Sequence, residues 1–161
     1  MATESERNAL ITRIVYAHQA SVLRLAFAYV KNTQDAEDIA QDVFMAFMKA
    51  SPTLAGAEHE KAYLIRATVN RCKGHLLSGW VRRRRPMPEA FARSEAGGEG
   101  VLQYVMALDE KYRIPIHLHY YEGYTIAEIG EMIGAKPSTV GTRLARGREA
   151  LKAAIGGMED V

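Results

Sequence analysis

Apolar residues recur at intervals of three and four along most of the chain, which is the spacing of one face of an α-helix. Three such stripes run through residues 11–29, 36–47 and 64–76, with breaks at 32–33 and 51–56. No run of residues shows the sustained apolar–polar alternation of a strand bounded by hairpin turns. The pattern therefore predicts three helices that bury one shared core.

The composition changes after Arg85, where two prolines and the glycines of 97–100 are typical of a flexible linker. Helical periodicity resumes beyond this segment. The predicted fold class is all-α, with two small helical domains at residues 5–85 and 99–157. A flexible linker at residues 86–98 would join them.

The clearest local signals lie in the second domain. Thr125 and Glu128 have the spacing of a capping box, in which two side chains satisfy free N–H groups at a helix start. Gly134 follows at a position suited to positive φ, and Pro137 suits the first turn of the next helix. That helix carries hydroxyl and basic side chains on its outward face. This order is typical of a DNA-binding helix-turn-helix, although a plain antiparallel helical hairpin would share it.

The composition narrows the class of protein. Of the 161 residues, 48% are apolar and 25% are charged, as in ordinary soluble globular proteins. The longest apolar runs fall far short of the roughly 20 residues that cross a bilayer, and the N-terminus lacks the apolar segment of a secretory signal. The single cysteine, Cys72, excludes an internal disulfide framework and a multi-cysteine zinc site. We expect a soluble, cytoplasmic protein without membrane insertion.

Charge is segregated along the chain, although the formal net charge is only +2. Residues 66–86 carry seven basic and no acidic side chains, and residues 136–161 carry five basic and three acidic ones. The segments before and between these two blocks are net acidic. Two basic blocks separated by acidic ones suggest two contacts with a polyanion. For the run Arg82 to Arg85, the alternative is a solvated face or a solubilising tail.

Several segments together resemble a known family. Residues 35–44, DAEDIAQDVF, resemble region 2.2 of bacterial sigma factors, and residues 63–70, YLIRATVN, with the arginine run that follows, resemble regions 2.3–2.4. The segments that resemble region 4 are residues 107–113, 121–129 and 138–148. Region 2 and region 4 joined by a short linker is the layout of the extracytoplasmic-function (group IV) sigma factors of the sigma-70 family.

The resemblance implies a promoter-specificity subunit of RNA polymerase rather than an enzyme, with no cofactor and no metal. Such a subunit is a monomer when free, and its partners are core RNA polymerase, promoter DNA and, commonly in this family, an anti-sigma factor. Region 2 is expected to dock on the clamp helices of the largest polymerase subunit, and region 4 on the flap. The core-binding residues implied by the match are Asp35, Asp38, Gln41, Asp42 and Phe44, on an acidic helix that suits a basic partner surface.

The same resemblance implies two contacts with DNA. Region 2 is expected to capture the −10 element as a single strand with one base turned out into a pocket, and region 4 to read the −35 element as a duplex. The implied −10 residues are Tyr63, Arg66, Asn70, Arg71, Lys73, Trp80, Arg82, Arg83, Arg84 and Arg85, of which Asn70 matches the family's asparagine. The implied −35 residues are Lys136, Ser138, Thr139, Thr142, Arg143, Arg146 and Arg148.

The chain departs from the family pattern at several positions. Gly74 stands where an acidic residue is frequent, and a glycine inside a helix costs about 1 kcal/mol relative to alanine. Asp109 replaces the usual proline and is expected to act as a helix N-cap, whereas Pro115 is expected to kink the helix that follows. Gly141 and Ala145 replace a basic and a bulky residue, so base-specific reading is expected to differ while phosphate binding remains.

Two other classes of protein remain as alternatives. A metal enzyme would have to use the pairs His117–His119 or Cys72–His75. Residues two apart on a helix point to different faces, however, and a catalytic zinc needs three protein ligands. A stand-alone DNA-binding repressor or activator would use the helix-turn-helix but would leave the acidic helix and the arginine run unexplained. A gel-shift with and without core polymerase distinguishes that regulator from a sigma factor.

Overall fold

The computed structural model describes residues 3–50, 56–77 and 99–159. The α-helices in these ranges are α1 (Glu4–Val30), α2 (Thr33–Ala50), α3 (Ala57–Leu77), α4 (Glu99–Ala107), α5 (Glu110–Ile116), α6 (Ile126–Ile133) and α7 (Pro137–Glu159), with a π-helical turn at His117–Tyr121. The predicted all-α fold class is confirmed. Trp80, the run Arg82 to Arg85 and the predicted linker 86–98 lie outside the described residues.

The first three helices pack on one another as one unit. α1 begins with a capping box, in which the Thr3 hydroxyl accepts from the Glu6 N–H and the Glu6 carboxylate accepts from the Thr3 N–H. α1 ends at Lys31, whose φ of 55° is left-handed and turns the chain towards α2. Asn32 then caps α2, because its Oδ1 accepts from the Asp35 N–H at 2.9 Å. The break at residues 32–33 thus contains the N-cap of α2, Asn32.

The core of this first unit is built from the predicted apolar stripes. The Thr68 hydroxyl lies within it and donates to the Leu64 carbonyl at 2.7 Å, which satisfies the buried O–H. Cys72 is fully buried, and burial raises the pKa of its thiol, so this cysteine is a packing residue rather than a reactive one. Fully buried apolar side chains of the unit include Val22, Leu25, Val43, Leu64, Ile65 and Val69.

α6 and α7 form the predicted helix-turn-helix. The Glu128 carboxylate accepts from the Thr125 N–H at 2.9 Å, and the Thr125 hydroxyl accepts from the Glu128 N–H at 3.2 Å. Gly134 ends α6 with a φ of 73°, and α7 begins three residues later. The turn is tight, because a Cβ atom on Gly130 would stand 2.6 Å from the Ala135 carbonyl oxygen. The capping box, the turn glycine and the proline start are therefore confirmed.

The segment between α4 and α6 is irregular. Asp109 occupies the N-cap position of α5 as predicted, but its side chain makes no capping hydrogen bond. Pro115 lies inside α5, and a π-helical turn follows that helix directly. At the end of this turn the Glu122 N–H donates to the His117 carbonyl, five residues back, at 3.3 Å.

The second unit, α4 to α7, packs against the first. α1 contacts α5 and the π-helical turn, and α3 contacts α6. Buried apolar side chains from both units belong to one cluster. The two helical units therefore touch through α1 and α3 on one side and α5, α6 and the π-helical turn on the other.

Candidate nucleic-acid interfaces

One face of α3 forms a groove of about 400 Å³. Tyr63 is 37% exposed there and packs edge-on against Phe47, with the ring centroids 5.7 Å apart. The Phe47 contact braces the Tyr63 ring and leaves part of it accessible. The groove is lined by residues at helical spacing, namely His59, Ala62, Tyr63, Arg66, Ala67 and Asn70. It can offer an aromatic ring, an amide and a guanidinium to a flat polar ligand such as a nucleobase.

The structure brings together only part of the predicted strand-binding set. Tyr63, Arg66 and Asn70 share the α3 groove, and Arg71 is exposed one residue further along the helix. Lys73 is directed elsewhere, because its Nζ donates to a backbone carbonyl in the last turn of α6. That lysine therefore contacts the second helical unit rather than the groove.

A second groove, of about 370 Å³, runs along the outward face of α7. The Thr142 hydroxyl donates to the Ser138 carbonyl at 3.0 Å, so its oxygen can act towards a ligand as an acceptor. Guanidinium and hydroxyl groups are the side chains that bind phosphates and base edges. The groove joins five of the seven predicted duplex-binding residues to two residues of α5: Ser138, Thr139, Thr142, Arg143 and Arg146 with Lys111 and Tyr112.

Lys111 and Tyr112 are functional candidates that the sequence does not single out. The Lys111 Nζ lies 5.1 Å from the centre of the Tyr112 ring, a cation–π distance. They reach the groove because α5 packs closely on α7, where a Cβ atom on Gly147 would stand 2.9 Å from Ile116 Cγ1. In the sequence, the available signal is a lysine beside a tyrosine at a helix start. That this pair lies against α7 depends on tertiary packing, which the local sequence does not specify.

Two predicted duplex-binding residues lie outside this groove. Lys136 is exposed in the turn that precedes α7. Arg148 is also exposed, but its Nη1 donates to the Tyr120 hydroxyl at 3.1 Å, so it is directed towards the π-helical turn. The structure does not bring these two side chains together with the other five.

The acidic helix α2 divides its predicted docking residues between the core and the surface. Asp35 is 4% exposed, with Oδ2 3.5 Å from His75 Nε2, and Phe44 packs in the core at 9% exposure. α2 packs against both α1 and α3 and buries these two residues, so neither is accessible to a partner in this structure. The predicted residues that remain at least partly exposed are Asp38, Gln41 and Asp42.

Two exposed methionines extend this surface of α2. Met45 and Met48 follow Gln41 at steps of four and seven, and they are 48% and 41% exposed. Methionine side chains adapt readily to a partner surface. The spacing of the two residues is visible in the sequence, but their exposure depends on which face of α2 the other helices cover.

Comparison with known sequences decides the family. A sequence model of sigma-70 region 2 matches residues 14–83, and one of sigma-70 region 4 matches residues 99–151. The chain belongs to the sigma-70 family. Region 2 of this sigma factor contains most of α1 with all of α2 and α3, and region 4 contains the helix-turn-helix.

Curated relatives include extracytoplasmic-function (ECF) sigma factors. The RNA polymerase sigma-H factor of Pseudomonas aeruginosa is 26% identical over 164 residues, which cover 88% of this chain and 84% of the relative. The ECF RNA polymerase sigma factor SigW of Bacillus subtilis is 26% identical over 166 residues, covering 86% and 85%. The RNA polymerase sigma factor SigV of the same species is 28% identical over 153 residues, covering 91% of each chain. The protein is an RNA polymerase sigma factor of ECF type, which acts in transcription initiation.

Solved structures share the fold. The sigma factor RpoE in complex with the anti-sigma factor NepR from Bartonella quintana aligns with a TM-score of 0.71 and 17% identity, over 90% of this sigma factor and 96% of RpoE. CnrH in complex with the cytosolic domain of CnrY aligns with a TM-score of 0.65 and 22% identity, over 93% and 90% of the two chains. The likeness therefore extends over both helical units.

Both residue pairs of the metal-enzyme alternative lie in the described ranges of this sigma factor. Within residues 3–50, 56–77 and 99–159, no three His, Cys, Asp or Glu side chains are grouped so that they could hold a metal ion. His75, from one of the pairs, lies beside Asp35 instead. Among the helices of the same ranges, none is long and apolar enough to span a membrane.

Proposed function

We propose that this sigma factor divides promoter recognition among three helices. The exposed face of α2 docks on core RNA polymerase, the α3 groove receives a base of the displaced −10 strand, and the α7 groove reads the −35 duplex. The observation that carries this proposal is the pair of grooves. They lie on separate helical units, and each gathers side chains suited to one form of DNA.

Capture of an unpaired base in the α3 groove would use stacking and polar contacts together. The Tyr63 ring is available for stacking, which contributes about 1–3 kcal/mol per base. Asn70 offers both a donor and an acceptor to a base edge, and Arg66 offers charge to the neighbouring phosphates. Unpairing a base costs a few kcal/mol, so these contacts are of the size needed to offset that cost.

Recognition of the duplex would use the outward face of α7. Arg143 and Arg146 lie three residues apart on one face of α7. They can contact a base edge and a phosphate along the same groove. Lys111 and Tyr112 would add phosphate contacts from α5, because helix-turn-helix proteins hold the DNA backbone beside the recognition helix. Gly141 is not among the residues that line this groove, so hydroxyls and arginines carry the reading.

Docking on polymerase would use the acidic surface of α2. Asp38 and Asp42 lie four residues apart on one face, and Met45 extends it with an adaptable apolar contact. Carboxylates matched to a basic partner fix orientation and accelerate association. The clamp helices of the largest polymerase subunit are the proposed partner for this face, and the flap is the proposed partner for region 4.

In vitro transcription with purified core polymerase on a randomised promoter library tests the whole proposal. We expect discrete start sites that depend on this protein and that share two sequence elements at a fixed spacing. Folded protein that neither co-elutes with core polymerase nor supports transcripts would discard the proposed contacts. Co-elution without transcripts would retain the α2 contact and reject the DNA contacts.

A gel-shift assay separates this proposal from the stand-alone regulator. We expect weak binding to duplex promoter DNA by the free protein and tight binding once core polymerase is added. Strong binding of a dimer to a palindromic site without polymerase would instead favour the regulator.

An anti-sigma factor is the proposed regulatory partner. Support comes from two solved neighbours, since RpoE is in complex with the anti-sigma factor NepR and CnrH is in complex with the cytosolic domain of CnrY. A purified candidate of that class should reduce polymerase-dependent transcription in proportion to its concentration. Unchanged transcription at a saturating excess would reject that candidate.

A further inference from the structure

A buried carboxylate joins the two helical units. Glu122, at the end of the π-helical turn, has a side chain that is only 1% exposed. Its Oε2 lies 2.8 Å from Lys61 Nζ of α3 and accepts from the Ser21 hydroxyl of α1 at 3.2 Å. Its Oε1 lies 3.5 Å from Arg24 Nη2 of α1 and 3.9 Å from His117 Nε2. We call these five residues the Glu122 cluster.

The charges of the Glu122 cluster favour the contact between units. Burial raises the pKa of Glu122, but the hydrogen bond and charge of Lys61 with the charges of His117 and Arg24 outweigh it, so the pKa lies below its ordinary value. The carboxylate is therefore ionised at neutral pH and faces two cations of region 2. Removing one member of a buried ion pair leaves the remaining charge uncompensated, which is costly.

Arg113 makes a second polar connection between the units. This side chain of α5 is 5% exposed, and its Nε and Nη2 donate to the carbonyls of Ala28 and Tyr29, the latter at 3.3 Å. These carbonyls lie in the last turn of α1, where a helix has no N–H partners of its own. A guanidinium from region 4 thus completes the end of a region 2 helix.

The same arrangement occupies two cations, Lys73 and Arg66, that the family resemblance assigns to the −10 strand. The Lys73 Nζ donates to the Ile133 carbonyl of α6, and Arg66 lies 3.8 Å from Glu131 of the same helix. The Arg66 contact is exposed and weak, whereas the Lys73 contact is partly buried. α6 therefore stands where the strand phosphates would have to reach Lys73.

We propose that this structure is a closed form of the sigma factor, in which region 4 withholds part of the −10 surface of region 2, with the Glu122 cluster and Arg113 holding the two together. Opening separates the units, frees Lys73 for the DNA strand and lets the α3 and α7 grooves take up the spacing of a promoter. The inference rests on the proposed function, since it needs the −10 strand to run over region 2, where the family resemblance assigns Lys73 to that strand. The connection between units can nevertheless be tested without polymerase.

The conformational test measures the distance between two spin labels. The labels are placed through Gln19→Cys in α1 and Ala150→Cys in α7, both at exposed positions, while Cys72 is fully buried and resists labelling. The otherwise unchanged protein should give one narrow distance distribution. Glu122→Lys should lengthen the mean distance and broaden the distribution, because a positive side chain then faces Lys61 and Arg24.

Matched variants make this test specific. Glu4→Lys makes the same charge change at an exposed residue of α1 and should leave the distances unchanged. Lys61→Glu added to Glu122→Lys should restore part of the narrow distribution by exchanging the two charges. If Glu122→Lys loses helical circular dichroism, the milder Glu122→Gln replaces it. A folded Glu122 variant with unchanged distances overturns the proposed connection.

The functional test compares transcription at limiting sigma factor. We expect Glu122→Lys to raise polymerase-dependent transcripts about threefold or more over both the unchanged protein and Glu4→Lys, because the open population grows. Longer label distances with unchanged or reduced transcription would overturn the inhibitory role. Absence of transcripts from every variant, with the label distances responding as expected, would instead count against the proposed function and leave the connection between units established.

Discussion

Arg146 and Arg148 have different surroundings although only one residue separates them. Arg146 lines the α7 groove, whereas Arg148 donates to the Tyr120 hydroxyl at 3.1 Å. Residues two apart on an α-helix point about 200° apart, so one helix face cannot hold both. Their shared charge makes them equivalent in the sequence, and the fold assigns them to different tasks.

Arg146→Ala should weaken use of the promoter sharply. The expected loss of affinity for duplex −35 DNA corresponds to about 1–3 kcal/mol, the value of one good arginine contact with a base edge. The measurement is fluorescence anisotropy with polymerase holoenzyme on labelled promoter DNA. Arg148→Ala is the matched control and should have a clearly smaller effect. Equal losses in the two variants would contradict the assignment of the groove, and loss of core polymerase binding by Arg146→Ala would contradict the role of region 4.

At the scale of the element, α2 has one face for the core and another for a partner. Asp35 and Phe44 lie on the inward face, while Asp38, Gln41 and Met45 lie on the outward face. A helix packed on two neighbours buries a wide arc, and the residues at the edge of that arc cannot be assigned from periodicity alone. In the sequence, Asp35 and Asp38 both fit an acidic docking motif, but only Asp38 reaches the surface.

The double variant Asp38→Ala with Gln41→Ala should reduce co-elution with core polymerase while leaving the melting temperature nearly unchanged. Both positions lie towards the surface, and surface changes usually shift stability by less than about 0.5 kcal/mol. Asp35→Ala should lower the melting temperature and leave co-elution with core polymerase nearly unchanged, because it removes the partner of His75 from a buried site. Gel filtration with core polymerase and thermal melts measure the two effects. A double variant that still binds polymerase with unchanged affinity would exclude this face as the docking surface.

The tight turn of the helix-turn-helix depends on a glycine inside α6. In Gly130→Ala a methyl group would meet the Ala135 carbonyl oxygen at 2.6 Å, so the turn must move, and we expect a loss of about 1–3 kcal/mol despite the better helix propensity of alanine. Gly141→Ala is the control in the next helix. Its new methyl would meet only Ile126 Cδ1 at 4.0 Å, so it should stabilise by up to about 1 kcal/mol. Urea titration followed by circular dichroism measures both. A neutral Gly130→Ala would show that the turn is not constrained by this contact.

At the scale of the whole molecule, local signals and long-range contacts differ in what the sequence can predict. The helices, the Thr125 capping box and the Gly134 turn follow from residues within a few positions of one another. The contact between units depends on pairs such as Arg113 and Ala28, which are 85 residues apart, and no local pattern specifies their meeting. For the same reason Tyr63, Arg66 and Asn70 were predictable as one helix face, whereas the contribution of α5 to the α7 groove was not.

The stability of the whole fold should depend on pH through His117. Burial lowers the pKa of this histidine from 6.5 to about 4, and the cations Arg24 and Lys61 also lower it, against an opposing effect of Glu122. Between pH 6.5 and 4 the unfolded chain therefore binds a proton that the folded chain does not, so stability falls as the pH falls. The expected loss across this range is roughly 3 kcal/mol.

Urea titrations at several pH values between 7 and 4 measure this dependence. His117→Gln should flatten it, because the titrating group is gone, even if the variant is less stable at neutral pH. His59→Gln, at an exposed position of α3, should keep the original slope. A steep slope retained in His117→Gln would assign the effect to another group.

The π-helical turn makes the contact between the units depend on the number of residues in the chain. A π-helical turn holds one residue more than an α-helical turn of the same height. Deleting one of residues 118–121 would restore an ordinary helix and rotate everything that follows by about 100° about its axis, carrying Glu122 away from Lys61. A single-codon deletion could thus separate the two helical units without altering any side chain that joins them. Among relatives, the length of this short segment would then distinguish chains that can close in this way from chains that cannot.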